Sequence, residues 1–185
     1  MMHKILLGDV LTEVKAGIGK DWEKYPVMGA TRDGLAPAKE RPGKSPQRYK
    51  PVFPGTIFYN PMRILIGSIA FVDANDSAGI TSPDYVVFKG KEGQVDSRWF
   101  YYWLRSPLGH RCITSLARGA VRERMLFNRL AKAEVELPDF ATQQSFSKIL
   151  AAARYEITSM RSALRGQLND LDQLPHRIVA QSLEE

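Results

Sequence analysis

The feature that most constrains this chain is an apolar stripe near its end. Phe146, Leu150, Ala153, Ile157, Met160, Leu164, Gln167, Leu171, Leu174 and Ile178 follow one another at spacings that alternate four and three, and all but Gln167 are apolar. That alternation, held over so many turns, predicts a coiled-coil helix. From residue 141 no glycine occurs before Gly166 and no proline before Pro175. Residues 146–174 in α-helix span about 43 Å at 1.5 Å per residue. Burying such a stripe is worth on the order of 15 kcal/mol gross, before ordering costs. A lone helix leaves it in water, so the stripe demands a partner along its length. Folding back onto the preceding 140 residues is the alternative, but a domain of that size is only about 30 Å across. The expected organisation is a globular domain over 1–140 and a dimerising helix over 141–185.

The first part reads as mixed α+β. Leu7, Val10, Leu11 and Val14 recur at helical spacing, and Gly17 ends that run. Residues 26–30 predict a short strand. Residues 33–51, rich in Gly, Pro, Lys and Arg, predict a long surface loop. Runs at 56–59, 64–72 and 85–89 predict strands bounded by Gly, Pro, Asn or Asp. Asp96 is placed to cap a helix that buries Trp99, Phe100, Trp103 and Leu104. Ser106-Pro107 opens another, with Ile113 and Leu116 inward. Residues 133–137 predict a last strand that Pro138 ends.

Composition narrows the functional classes. The longest apolar run, 64–72, falls well short of the roughly 20 residues that span a membrane. The start reaches Gly8-Asp9 too soon to hold a secretory apolar region. A single cysteine, Cys112, excludes an internal disulfide framework and fits a reducing compartment, so a cytoplasmic protein with no membrane partner is expected. Charge is unevenly distributed. Residues 1–132 carry 21 Lys and Arg against 12 Asp and Glu, a net +9, whereas 133–185 carry 5 against 8, a net −3. Within 98–132, eight bases (Arg98, Arg105, Arg111, Arg118, Arg122, Arg124, Arg129, Lys132) face one acid, Glu123. A second basic stretch is Lys39, Arg41, Lys44, Arg48 and Lys50. Such asymmetry points to a polyanion partner, although mild basicity alone also serves solubility.

Motifs for bond-making chemistry are missing. Asn60-Pro61-Met62-Arg63 resembles the Asn-Pro-Pro-aromatic motif of adenine methyltransferases, yet Met62 and Arg63 stand where Pro and the stacking aromatic belong. A structural turn is the better reading. Gly29 to Gly34 lacks the Gly-Lys-Ser/Thr of a phosphate loop, and no glycine-rich cofactor loop follows a strand. Pro83-Asp84 has no downstream Glu-x-Lys. His3, His110 and His176 are too scattered to form a metal site with Cys112. What remains is a binding surface. Thr31, Arg32, Lys44, Arg48, Asn60, Arg63, Ser82, Tyr85, Arg118, Arg122, Arg124 and Asn128, with Gln47 and Tyr49, are the candidates. Arg can grip guanine bidentately, Asn and Gln adenine, and Lys and Ser phosphates. Any one of them alone is as readily a solvated surface residue or a structural hydrogen bond.

Six segments in order match a known pattern. Gly8-Asp9-Val10 and Tyr25-Pro26-Val27-Met28-Gly29-Ala30 resemble the opening of a target recognition domain of a type I restriction–modification specificity subunit. Arg48-Tyr49-Lys50-Pro51-Val52-Phe53-Pro54-Gly55-Thr56-Ile57 is similar to that family's basic-x-x-V-x-PGD-I segment, with Thr56 in place of the acid. Ile66-Gly67-Ser68-Ile69-Ala70 and Ser82-Pro83-Asp84-Tyr85 resemble its G-x-x-G and S-P-x-Y pieces, with Ala70 replacing the second Gly. Gly119-Ala120-Val121-Arg122-Glu123-Arg124 resembles the segment before the last strand. Leu137-Pro138-Asp139-Phe140-Ala141-Thr142-Gln143-Gln144 resembles the LPPLEEQ start of the spacer helix, and Leu174-Pro175-His176-Arg177-Ile178 resembles its end.

The resemblance implies a mixed α/β domain whose loops read half of a split site in double-stranded DNA. It also implies a spacer helix that pairs antiparallel with a second one. Methyltransferase subunits dock on such a chain and use S-adenosylmethionine, and motor and nuclease subunits can join. The specificity subunit itself is not an enzyme and binds no cofactor. Family members carry two recognition domains and two helices, whereas this sequence has one of each. It is therefore expected to be a half-subunit or a fragment, paired as an antiparallel homodimer. The alternatives are a nucleic-acid-binding regulator without a methyltransferase partner, and a stand-alone methyltransferase, which the missing cofactor loop opposes.

Overall fold

The computed structural model describes residues 2–38, 41–117 and 124–182. The chain divides into two compact units, one ending at Ser147 and one beginning at Lys148. The first is mixed α/β. It opens with strand β1 (Met2–Leu6), one helical turn α1 (Leu7–Val10) and β2 (Leu11–Glu13). A hairpin of β3 (Met28–Thr31) and β4 (Gly34–Pro37) precedes β5 (Lys50–Val52), β6 (Ile57–Tyr59), β7 (Ile69–Phe71), β8 (Gly79–Thr81) and β9 (Val86–Gly90). Helices α2 (Ser97–Arg105), α3 (Pro107–Ala117) and α4 (Phe127–Leu130) lead to β10 (Glu134–Pro138) and the long helix α5 (Phe140–Ser182).

A four-stranded sheet in the order β2-β9-β6-β7 forms the centre, and three two-stranded pairs, β1-β10, β3-β4 and β5-β8, surround it. Alternation along its strands splits the core in two. Ile57, Tyr59, Ile69, Phe71, Val86 and Phe88 join one cluster with Phe100, Leu104, Ile113 and Met125. Phe58, Ala70 and Val87, the intervening residues, join another with Met28, Ala30, Val52 and Val72. A period of two on strands covered on both faces gives this division directly. Helices cover one face and the β3-β4 hairpin contributes to the other.

Three expectations from the sequence need correction here. Leu7, Val10, Leu11 and Val14 do not share a helix. Leu7 and Val10 pack from α1, then Leu11 pairs with Gly90 in β2, and Val14 packs on the second cluster. The same apolar spacing serves two faces of a sheet. Residues 33–51 are not one loop. Gly34, at φ +107°, turns the chain back into β4, and β5 pairs with β8. The 64–72 run is likewise interrupted: a 3-10 turn at Ile64–Ile66 ends at Gly67, φ +85°, before β7 begins.

Asp96 caps α2, its carboxylate accepting from the Trp99 N–H at 2.9 Å. Phe100 and Leu104 are buried on α2 as expected, joined by Tyr101. Trp99 and Trp103 are only half-buried, packed at the margin of the core. The first turns of α5 belong to the same unit. Asp139 accepts from the Thr142 N–H at 2.8 Å. Gln143, 1% exposed, accepts from the Asp96 N–H at 3.0 Å and donates to the Pro138 carbonyl at 2.9 Å. Ser147 donates to the Asp96 carboxylate.

The second unit is helix throughout its described residues. Ile157, Met160, Leu164, Leu171, Leu174 and Ile178 are each about half exposed or more, between 48% and 63%. The helix does not stop at Pro175 but runs through it to Ser182, although this residue has no N–H to offer the Leu171 carbonyl.

Candidate nucleic-acid interface

The basic residues fall into two kinds. Arg98 pairs with the Asp73 carboxylate, its Nε donating at 3.1 Å, and its guanidinium lies 5.8 Å from the centre of the Phe71 ring. Arg105 donates to the carbonyls of Gly67 at 3.2 Å and Ile69 at 3.1 Å, and to that of Arg32. These two arginines of the basic window clamp the fold together. Lys50 donates to the Tyr85 carbonyl at 2.7 Å. Burial holds its ammonium below the ordinary lysine value, against the opposing pull of Glu13 and Asp84.

Several candidate residues also hold turns. Thr31 donates to the Gly34 carbonyl at 3.0 Å and accepts from the Asp33 N–H at 3.2 Å, which ties the β3-β4 hairpin. The Arg32 Nε donates to the Ile66 carbonyl at 3.1 Å. Asn60 accepts from the Met62 N–H at 2.9 Å, the side-chain-closed turn expected of Asn-Pro. Ser82 stands in the turn where the Tyr85 N–H reaches its carbonyl. The Tyr85 ring lies 6.0 Å from that of Phe58. Lys44, Arg48 and Arg63 are exposed, and Arg118 and Arg122 lie outside the described residues.

Three of the candidates come together in one concavity. Tyr85, Arg124 and Asn128 line a cleft with Glu13, Lys15, Lys50 and Asp84. An N–H of Met125 donates to the Pro61 carbonyl at 3.0 Å, which fastens the Asn60 turn to the residue next to Arg124. Arg124 and Asn128 also line an adjoining cleft of about 320 Å³ with Leu126, Arg129 and Lys132. Arg129 and Lys132 belong to the basic window but were not among the individual candidates. Their positions one residue before and two residues after the buried Leu130 were the available signal. One cleft mixes donors with acceptors and the other presents cations. Such a pair of surfaces suits base edges and backbone phosphates respectively.

Covalent chemistry has less to work with. Burial pushes the Cys112 thiol above its ordinary value, away from the reactive thiolate. Among the described residues, no group of three His, Cys, Asp or Glu could hold a metal ion. Among the described residues, no helix is long and apolar enough to cross a membrane.

In fold, the chain is a mixed α/β domain followed by a long helix, and known structures share that arrangement. An HsdS subunit from Thermoanaerobacter tengcongensis aligns over 86% of this chain and 44% of its own, with 16% identity and a TM-score of 0.61. A chain solved in work on complex assembly and conformational transition of the type I R-M system aligns over 94% and 47%, with 15% identity and a TM-score of 0.60. The S subunit of a type I restriction–modification system from M. genitalium aligns over 89% and 42%, with 16% identity and a TM-score of 0.56. The chain thus spans a little under half the length of each. No protein-family model and no curated protein matches the sequence.

Proposed function

We propose that this chain supplies one recognition domain and one spacer helix of a non-catalytic specificity subunit of a type I restriction–modification system. It directs methyltransferase subunits, and any motor or nuclease subunits that join them, to double-stranded DNA. The observation that carries the reading is the fold likeness over nearly the whole chain to three subunits of such systems. The basic clefts supply a surface for DNA, and the exposed stripe on α5 supplies a surface for a second helix. S-adenosylmethionine belongs to the methyltransferase, which places the methyl group on adenine N6. A cytoplasmic location follows from that role.

A second copy is the simplest partner for the stripe. Antiparallel pairing separates two basic recognition units by a helix about 43 Å long, whereas parallel pairing crowds them at one end. A two-fold reader then needs a symmetric site: two short inverted half-sites about a fixed gap. Co-expression with type I methyltransferase subunits, followed by mapping of N6-methyladenine, tests this. Methylation at an interrupted palindrome is expected. Methylation at a non-palindromic site, with this chain as the sole specificity subunit, overturns the homodimer. DNA binding with no methyltransferase association transfers the chain to the class of solitary regulators.

A further inference from the structure

The cleft beside α4 has an electrostatic imbalance. Among the described residues its lining is Arg124, Leu126, Asn128, Arg129 and Lys132, with no carboxylate. The cleft next to it contains Glu13 and Asp84. Arg124 and Lys132 are exposed, and no ion pair joins them to a carboxylate among the described residues. Arg129 is half-buried, and its Nη1 is closed off from solvent with no hydrogen-bond partner. Leaving a charged donor desolvated and unmet is costly. Three cations converging on one concavity also raise its positive potential. An anion with several acceptor oxygens relieves that potential.

The chemistry of the wall narrows the anion. Guanidinium forks match phosphate oxygens, and lysine supplies a point charge. The Asn128 amide adds a neutral donor. Leu126, 46% exposed, gives the same cleft an apolar flank. A free inorganic ion leaves that flank wet, whereas a sugar attached to the phosphate covers it. We infer that this cleft seats one backbone phosphodiester of duplex DNA, with Arg129 and Lys132 on the phosphate and Leu126 against the adjoining deoxyribose. The inference rests on the DNA-binding reading above and adds the contact residues.

A phosphate contact is independent of sequence, so an arbitrary duplex reports on it. Fluorescence anisotropy of the full chain with a labelled duplex, over a range of salt, reads both affinity and salt slope. Each phosphate contact contributes about 0.9 to that slope. Arg129→Gln and Lys132→Gln together are expected to lower the slope by about one and weaken binding about tenfold at 0.1 M salt. Lys132→Gln alone, at an exposed position, shifts both in the same direction. Lys24→Gln, which removes a cation that pairs with Asp21, controls for net charge and leaves both nearly unchanged. An unaltered slope in the double variant, with the unmodified chain still binding, overturns the seat alone. Absence of duplex binding by the unmodified chain at any salt overturns the DNA-binding reading beneath it. Equal losses with an RNA duplex overturn the choice of deoxyribose.

Discussion

The two units solve the burial problem in opposite ways. In the first, the central strands send alternate residues into two clusters: Phe58 goes to one side, Ile57 and Tyr59 to the other, and all three are 0% exposed. In the second, Leu164 is 58% and Leu171 63% exposed. The same residue types are used, but only the first unit brings its own partners. A domain with a closed core is stable by itself, whereas an amphipathic helix draws most of its stability from whatever covers its face. The second unit is therefore where assembly and stability are coupled, and the first is where they are separable.

That contrast can be broken most forcefully on the stripe. Ile157→Asp with Leu164→Asp places charges in the seam of both copies. Burial of four such side chains per pair is worth about 1.5–3 kcal/mol each. The expected outcome in light scattering is a monomer or aggregates, while near-ultraviolet circular dichroism of the first unit stays unchanged. A stable monomer from the unmodified chain disposes of self-pairing. The next effect belongs to the other side of the comparison. Phe88 sits where the rings of Tyr59, Phe100 and Phe127 converge on it. Phe88→Ala is expected to cost about 3–5 kcal/mol in denaturant unfolding of the first unit. An unchanged transition midpoint contradicts the closed core described for that unit.

The junction gives a smaller and sharper test. Gln143 meets the Asp96 N–H through its carbonyl oxygen and the Pro138 and Gln94 carbonyls through its amide. Gln143→Ala leaves these buried groups unmet, with an expected loss of about 1–3 kcal/mol. Gln143→Glu keeps the acceptor but loses the donor, and is expected to be no better than Ala.

How much of this could be read beforehand depended on the range of the interactions. The Asp96 cap was legible because its acceptor and donor are three residues apart. The α5 stripe was legible because its period declares the helix without reference to the rest of the chain. Strand β1 was not, since its partner β10 lies far along the sequence and Met2–Leu6 shows no turn signal of its own. The turn after Thr31 was hidden within a stretch that looked irregular, because a single Gly34 closes it. The site followed the same rule. Arg98 and Arg105 looked available for DNA because the sequence does not show Asp73 or the Gly67 and Ile69 carbonyls beside them. Tyr85, Arg124 and Asn128 were each nameable, but their convergence depends on long-range packing, including the Pro61–Met125 hydrogen bond.

The smallest effect lies at the first turn of α5, where the globular unit hands over to the helix. The Thr142 N–H donates to the Asp139 carboxylate at 2.8 Å, and this bond holds the carboxyl below its ordinary value. A carboxylate also suits the positive end of a helix dipole. The direction of the shift fixes the direction of the pH effect. A group whose folded value is depressed stabilises the fold above its ordinary value, about 3.9 for Asp, and loses that contribution as pH falls through the folded value. The chain is therefore expected to melt progressively lower below about pH 4. Other carboxylates titrate there too; Glu134 is held low by its hydrogen bond to Lys4. The informative quantity is thus the difference between variants. Asp139→Asn keeps an acceptor for the Thr142 N–H and removes the titrating charge, since Asn caps nearly as well as Asp. Its melting temperature is expected to fall less between pH 7 and pH 3 than that of the unmodified chain. Asp139→Ala, which loses the acceptor at every pH, starts lower at pH 7 and shows the same reduced slope. Parallel melting curves for all three across that range remove Asp139 from the account of acid stability.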